Sequence, residues 1–220
     1  AVAVVWQRPR PGPSFLGRTR TVKRLGILHT APFLVDVFKK RLGDRYPGLD
    51  SFHVVDESLI QDARRHGGLV PGIVRRIATQ VGLAQEAGAE VILFTCSSTS
   101  PAVDAVRPLA DVPIVKIDDA MAVRAIETGS RIGLLCTSKT TVGPSERLIQ
   151  DHAATRGRAV TLTTVVENDA YFALRNGDKA GHDAAVAAAA GRLAGSVDVI
   201  VLAQASMAHL AAQLGADLPI

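Results

Sequence analysis

The sequence predicts an α/β protein of two similar lobes, each a parallel sheet flanked by helices, with a functional site in the cleft between them. An internal duplication is the first observation. Residues 24–30 (RLGILHT) resemble residues 131–137 (RIGLLCT), and residues 90–98 (EVILFTCSS) resemble residues 198–206 (DVIVLAQAS). The two pairs are offset by 107 and 108 positions, as expected if one unit occurs twice. Composition is the second observation: 47% of residues are hydrophobic but only 4% aromatic, which favours the aliphatic core of parallel sheets buried on both faces.

In the first copy, apolar runs predict four strands, over Val22–Leu28, Ser51–Val55, Val91–Thr95 and Pro113–Ile117. Between them, helices are predicted from Pro32 to Leu42, over residues 69–87, and over Ala102–Leu109 after Pro101. The two prolines suit a first helical turn because their fixed backbone torsion matches the helix. A further helix, Ala120–Thr128, would be capped by Asp118 or Asp119 and end at Gly129.

In the second copy, strands are predicted over Ile132–Cys136, Ala159–Val165 and Val199–Ala203. Helices are predicted from Pro144 and Ser145 to Thr155, over residues 180–194, and over Met207–Leu214. Residues 137–141 form a predicted Ser/Thr loop, and Pro219-Ile220 falls where a fourth strand would begin. Strands that alternate with helices indicate βαβ units and parallel sheets.

The domain organisation follows from the repeat and from the charge distribution. Residues 1–20 are expected to be a disordered, basic, Pro-rich leader. Residues 21–116 form a predicted first lobe, joined by a return segment at 209–220, and residues 117–208 form the second lobe. The net charge is +4, but six basic residues precede the first acid, Asp36, and without residues 1–24 there are 19 basic and 21 acidic residues. The lobes are therefore near neutral, so we expect no nucleic-acid partner.

Several functional classes find no support in the sequence. There is no run of about 18 apolar residues, so no membrane association is expected. Two cysteines far apart do not make a disulfide framework, which favours a reducing, cytoplasmic location. None of the motifs GxGxxG, GxxxxGK[ST], CxxC or HExxH occurs at a suitable place, so we expect no cofactor and no metal.

Polar residues follow the predicted strands where a ligand would bind, because ligands of open parallel sheets bind beyond the carboxyl ends of the strands. These segments are His29-Thr30, Cys96 to Ser100, Cys136 to Thr141, and Gln204 to Ser206. Cys96, among hydroxyl residues before a helix, could be a thiolate base or nucleophile, or a small buried hydrophobe. Cys136 continues a core strand and is expected to pack. His29 is either an acid/base group or structural.

These residues resemble the aspartate/glutamate/hydantoin racemase superfamily from about Val22 to the end of the chain. The resemblance rests on the repeated lobe, the strand ending in Thr-Cys-Ser-Ser, the strand ending in Cys-Thr, and the segment Asp-Val-Ile-Val-Leu-Ala-Gln-Ala-Ser-Met. It implies cofactor-independent chemistry at a carbon next to a carboxylate, carried out by one cysteine from each lobe. It also implies a small carboxylate substrate and a homodimer.

Residue by residue, the resemblance assigns the first cysteine to Cys96, but Gln204 stands at the place of the second. Glutamine does not act as an acid or base near neutral pH, so the mismatch weakens two-base racemisation. The carboxylate-binding positions implied by the resemblance are Thr30, Ser97, Ser98, Thr137, Thr140 and Thr141, and Ser206 could also contribute.

Two classes of function remain after this comparison. The first is an isomerase of the racemase type with Cys96 as base or nucleophile, or a one-thiol decarboxylase or lyase of the same superfamily, although those decarboxylases keep the second-lobe cysteine. Racemisation would then need His29 or water in place of the second thiol. The other class is a non-catalytic module that binds a carboxylate.

Overall fold

A computed structural model describes residues 22–215 and residue 220. The strands are β1 (Arg24–His29), β2 (Asp50–Val55), β3 (Val91–Phe94), β4 (Ile114–Lys116), β5 (Arg131–Cys136), β6 (Thr161–Val166) and β7 (Val199–Leu202). The α-helices are α1 (Leu34–Arg45), α2 (Ser58–Arg65), α3 (Pro71–Glu86), α4 (Pro101–Val106), α5 (Asp119–Thr128), α6 (Lys139–Thr155), α7 (Asn168–Arg175), α8 (Lys179–Ala194) and α9 (Ala211–Leu214). Short 3₁₀ turns cover Arg107–Leu109 and Ala205–Met207. The predicted leader at residues 1–20 lies outside the described residues.

The strands form two parallel sheets, which confirms the predicted fold class. The first sheet has the order β2-β1-β3-β4, and the second has the order β6-β5-β7. In both, the first strand of the copy lies between the second and the third strand of that copy and pairs with each of them. The duplication seen in the sequence is therefore a duplication of strand pairing.

Glycines at the same place in the two central strands allow close packing. A Cβ atom at Gly26 would lie 3.1 Å from Ala89 Cβ, and one at Gly133 would lie 3.2 Å from Val197. Ala89 and Val197 occupy corresponding positions just before β3 and β7. A larger side chain at either glycine would push this connection away from the sheet.

The second sheet is covered on both faces because successive side chains of a strand point in opposite directions. Leu134 packs in a cluster with residues of α5 and α6, whereas Leu135 packs with residues of α7 and α8. In the first lobe, one cluster joins β1 and β3 to α2, α3 and α4. No helix in the described part of the chain has both the length and the apolar character of a membrane span.

Four element predictions need correction. Helix α6 begins at Lys139 rather than at Pro144, because the Ser138 carbonyl already accepts from Thr141 N at 3.1 Å and starts the first turn. Helices α2 and α7 were not predicted. The segment 209–220 was expected to return to the first lobe, but Leu210 and Ile220 are apolar and pack against the second lobe. Residues 216–219 are outside the described part.

Candidate active site

Cys96 and its neighbours follow β3 at the edge of the sheet that faces the second lobe. The Cys96 side chain is only 8% exposed, and Ser97 and Ser98 are buried as well. Thr30, which follows β1, and Thr137, which follows β5, are also buried. Burial of so many hydroxyl groups is costly unless they find partners, so their hydrogen bonds indicate how the site is built.

A group of hydroxyls joins the two lobes. Ser98 Oγ of the first lobe lies 2.8 Å from Thr141 Oγ1 and 3.2 Å from Thr140 Oγ1 of the second. Thr140 Oγ1 lies 2.9 Å from Ser138 Oγ, and Arg64 Nη2 donates to Ser138 Oγ at 3.0 Å. We call these five residues the cross-lobe cluster. Ser98, Thr140 and Thr141 were predicted site residues, whereas Ser138 and Arg64 were not singled out.

Arg64 spans the cleft from the first lobe. It lies on α2, and its guanidinium carbon sits 3.4 Å from the centre of the Tyr171 ring on α7 of the second lobe. Its Nε is buried without a hydrogen-bond partner among the described residues. Burial and the neighbouring Arg175 lower the pKa of Arg64, whereas the negative charge of a Cys96 thiolate acts in the opposite direction.

Helix α2 is held in place by polar contacts with α3. Asp56 accepts from Ser58 N at 3.1 Å at the start of α2, and also from Gln80 Nε2 at 2.8 Å. Arg76 Nη2 donates to Asp62 Oδ2 at 2.6 Å. Leu59 and Ala63, one turn apart on α2, are buried in the first-lobe core. These contacts fix the helix that carries Arg64.

Gln204 forms a second polar pair with Thr137. Gln204 Oε1 accepts from Thr137 N at 2.6 Å and from Thr137 Oγ1 at 3.1 Å. Because the side-chain carbonyl is occupied in this way, the amide NH₂ is the group that Gln204 can offer to a ligand. Ser206 is half-buried in the 3₁₀ turn that follows. No hydrogen bond within the described residues connects Ser206, Thr30 or Cys96 to the cross-lobe cluster.

Asp118 lies beneath the Cys96 loop. It stands at the N-terminal end of α5 as predicted, but its side chain makes no capping bond and instead accepts from Ser100 Oγ at 3.3 Å. Burial raises the pKa of the Asp118 carboxyl, and the charge of Lys116 opposes this change. Its Oδ1 is buried without a partner in the described part of the chain.

Cys136 and His29 do not provide acid–base groups at neutral pH. Cys136 is fully buried among core residues, and burial together with the Glu146 carboxylate raises its pKa to about 12. Burial and the neighbouring His53 lower the pKa of His29 to about 4, so its ring is neutral at pH 7. These shifts disfavour a Cys136 thiolate and a protonated His29 ring at neutral pH.

Comparison with known proteins identifies the family. A family model described as Asp/Glu/Hydantoin racemase matches residues 25–220. The chain belongs to this family. Membership in the Asp/Glu/hydantoin racemase family supports an isomerase of the racemase type and leaves the reaction and the substrate open. A comparison with curated protein sequences found no match.

Solved structures of other racemases share the fold at low sequence identity. An aspartate racemase from Picrophilus torridus has 15% identity and a TM-score of 0.65, over 90% of this chain and 87% of that one. An allantoin racemase from Klebsiella pneumoniae has 18% identity and a TM-score of 0.64, over 89% and 80%. A glutamate racemase from Thermus thermophilus has 18% identity and a TM-score of 0.65, over 89% and 72%. At these identities the likeness establishes the two-lobed fold alone.

Proposed function

We propose that this racemase-family protein is a cofactor-independent isomerase that acts at the carbon next to a carboxylate of a small amino acid or dicarboxylate. The cross-lobe cluster is the observation that supports this proposal. Its hydroxyls and the Arg64 guanidinium are hydrogen-bond donors, and within the described residues no acidic side chain accepts from them. A ligand carboxylate would accept from these groups in place of the bonds they make with one another.

Charge supports the same assignment. Arg64 is partly buried, and Arg175 adds a second positive charge nearby. The structure shows no ion pair for Arg64 among the described residues, and its aromatic contact with Tyr171 leaves Nε without an acceptor. A guanidinium binds a carboxylate through two parallel hydrogen bonds, which are about twice as strong as bonds between neutral groups.

Cys96 is the proposed base. Its thiolate would remove the proton from the α-carbon: the C–H bond breaks, an S–H bond forms, and the electron pair moves onto the carboxylate. Arg64 and the hydroxyls of Ser98 and Thr141 would stabilise the charge that develops on the carboxylate oxygens. Return of a proton to the opposite face inverts the centre, whereas return from Cys96 restores the original enantiomer.

Gln204 favours a second candidate within the same site. Where the resemblance implies a second thiol, its amide can donate a hydrogen bond but cannot exchange a proton at neutral pH. One-thiol chemistry, such as decarboxylation or a lyase reaction, needs a proton donor on one face only. A non-catalytic carboxylate-binding module would also use the cross-lobe cluster, but it would not need a reactive Cys96.

Proton exchange in D₂O tests the proposal directly. Aspartate, glutamate and 2-methylmalonate are incubated with the protein, and loss of the α-proton or release of CO₂ is followed by NMR. We expect exchange with at least one compound, loss of that exchange to background in Cys96→Ser, and its retention in Cys136→Ala. Decarboxylation without exchange would favour the second candidate. Binding by thermal shift without any turnover would favour the non-catalytic module.

Selective alkylation provides an independent test that needs no substrate. Iodoacetamide at pH 7, followed by peptide mass spectrometry, should label Cys96 faster than an ordinary thiol, and bound ligand should slow the labelling. Labelling of Cys96 no faster than glutathione would count against the proposed base.

A further inference from the structure

Two histidines and a threonine connect three strands immediately behind the site. His29 Nδ1 lies 2.9 Å from Thr95 Oγ1, and His29 Nε2 lies 2.8 Å from His53 Nδ1. Thr95 Oγ1 in turn donates to the Leu28 carbonyl at 3.1 Å. His53 is on β2, His29 ends β1, and Thr95 follows β3. The two histidine rings are nearly parallel, with centroids 5.1 Å apart.

The available protons allow the hydrogen bonds that join His53, His29 and Thr95 to run in only one direction. Thr95 has one hydroxyl proton, so its two hydrogen bonds form together only when that proton goes to the Leu28 carbonyl and Oγ1 accepts from His29 Nδ1. A neutral imidazole carries one N–H, so His29 Nε2 is an acceptor and His53 Nδ1 donates to it. His53 Nε2 is then unprotonated, and it is buried without a hydrogen-bond partner in the described residues.

The chain ends on a peptide carbonyl, which cannot accept a proton and pass it on near neutral pH. These hydrogen bonds therefore cannot supply Cys96 with protons, and they can act on the site only by fixing the positions of its loops. His29 directly precedes Thr30, and Thr95 directly precedes Cys96. Each of the two site loops therefore begins next to a residue of this hydrogen-bond chain. His29 is 1% exposed, and it also contacts the Phe38 ring at 5.5 Å between centroids.

We propose that His53, His29 and Thr95 are positioning residues whose one-directional hydrogen-bond chain holds the Cys96 loop and the Thr30 loop in register. This inference rests on the proposed function only where activity is the measurement. None of the three side chains would touch the reacting atoms. Two experiments follow, one on the wild-type protein and one on variants.

The first experiment reads the tautomers of the unmodified protein. Long-range ¹H–¹⁵N NMR at pH 7 distinguishes an imidazole protonated on Nδ1 from one protonated on Nε2. Both His29 and His53 should carry the proton on Nδ1. The exposed His66 makes no side-chain hydrogen bond with the residues that the structure describes, so it serves as the reference. A proton on Nε2 of His29 would overturn the proposed direction of the chain.

The second experiment separates positioning from thiol chemistry. His29→Leu and Thr95→Val remove the hydrogen bonds between His29 and Thr95. Thr95→Ser keeps the hydroxyl, and His29→Asn keeps a donor near the place of Nδ1. In the first two variants we expect Cys96 alkylation by iodoacetamide to rise at least threefold, because the loop that buries the thiol is released. The kcat for α-proton exchange should fall at least tenfold with KM within twofold of wild type. The conservative variants should restore both measurements.

Opposite changes in alkylation and exchange are the signature of positioning, since a direct loss of thiolate character would lower both rates. His66→Leu, at an exposed position, is the matched control and should change neither. Equal alkylation of Cys96 in wild type, His29→Leu and Thr95→Val would overturn the inference. If no test compound undergoes exchange, the proposed function fails. The tautomers and the alkylation rates still decide whether His53, His29 and Thr95 position the loops. If Thr95→Val does not fold, His29→Leu, Thr95→Ser and the wild-type tautomers remain decisive.

Discussion

Gln204 Oε1 accepts two hydrogen bonds from Thr137, from its backbone N at 2.6 Å and from its hydroxyl at 3.1 Å. The glutamine therefore ties the loop after β7 to the loop after β5, and these two strands are direct neighbours in the second sheet. This contact gives Gln204 a defined orientation, with its amide NH₂ available to a ligand.

Replacing Gln204 with cysteine tests whether it occupies the place of a second base. We expect Gln204→Cys to raise the rate of inversion relative to α-proton exchange, because a second thiol can return a proton to the opposite face. The variant should lose about 1 kcal/mol of stability with the Thr137 bonds. Chiral chromatography combined with NMR in D₂O measures both rates. Gln204→Ser removes the same bonds without adding a thiol, and equal inversion in the two variants would contradict the assignment.

Substitutions of Arg64 and of its neighbour Arg65 test whether the cross-lobe cluster binds a carboxylate. Arg64 contacts Ser138 and Tyr171 across the cleft, whereas Arg65 is exposed and pairs with Asp62. Loss of a charged hydrogen bond costs about 1.5–3 kcal/mol, so Arg64→Met should weaken carboxylate binding roughly 10- to 100-fold. Arg65→Met should leave it within about twofold. Isothermal titration with the carboxylate that passes the exchange test gives both constants, and equal losses would remove Arg64 from the site.

Cys136 should not react with alkylating reagents in the native protein. Full burial and a pKa of about 12 leave almost no thiolate at pH 7, so iodoacetamide should label Cys136 only after unfolding. Cys136→Ala should keep α-proton exchange, whereas Cys136→Ser should lose about 1–3 kcal/mol because it buries a hydroxyl in an apolar cluster. Denaturant titration measures that difference. Labelling of native Cys136 at a rate similar to that of Cys96 would contradict this account.

The repeat predicted the two sheets well because strand pairing depends on apolar runs that are visible in the sequence. The rule that ligands bind beyond the ends of parallel strands selected Ser98, Thr140 and Thr141, which the structure joins across the lobes. It could not reveal Arg64, since nothing local shows which face of α2 meets the second lobe. The acidic and hydroxyl residues at 56–58, followed by Leu59 and Ala63, did carry a signal for the start and the buried face of that helix.

The errors in element boundaries have a similar origin. Pro144 suggested a helix start, but it lies in the second turn of α6, where it removes the bond to the Thr140 carbonyl and its ring crowds that carbonyl. His29 was a candidate acid–base group because its type and place suited chemistry. Its neutrality depends on burial and on His53, which is 24 positions away in sequence. Long-range contacts of this kind decide the protonation of a buried group.

Acid should destabilise the protein through His29 in a defined pH window. The pKa of His29 is about 4 in the folded protein against 6.5 in an unfolded chain, so below pH 6.5 the unfolded state binds a proton that the native state excludes. The free energy of unfolding should therefore fall between pH 6.5 and 4, by at most about 3 kcal/mol from this group. Burial and Lys39 also lower the pKa of His53, whereas Asp36 opposes this change. Urea titrations at several pH values should show that the free energy of unfolding depends less steeply on pH in His29→Gln than in wild type. His66→Gln, at an exposed position, should retain the wild-type slope, and equal slopes in all three proteins would show that His29 is not protonated on unfolding in this range.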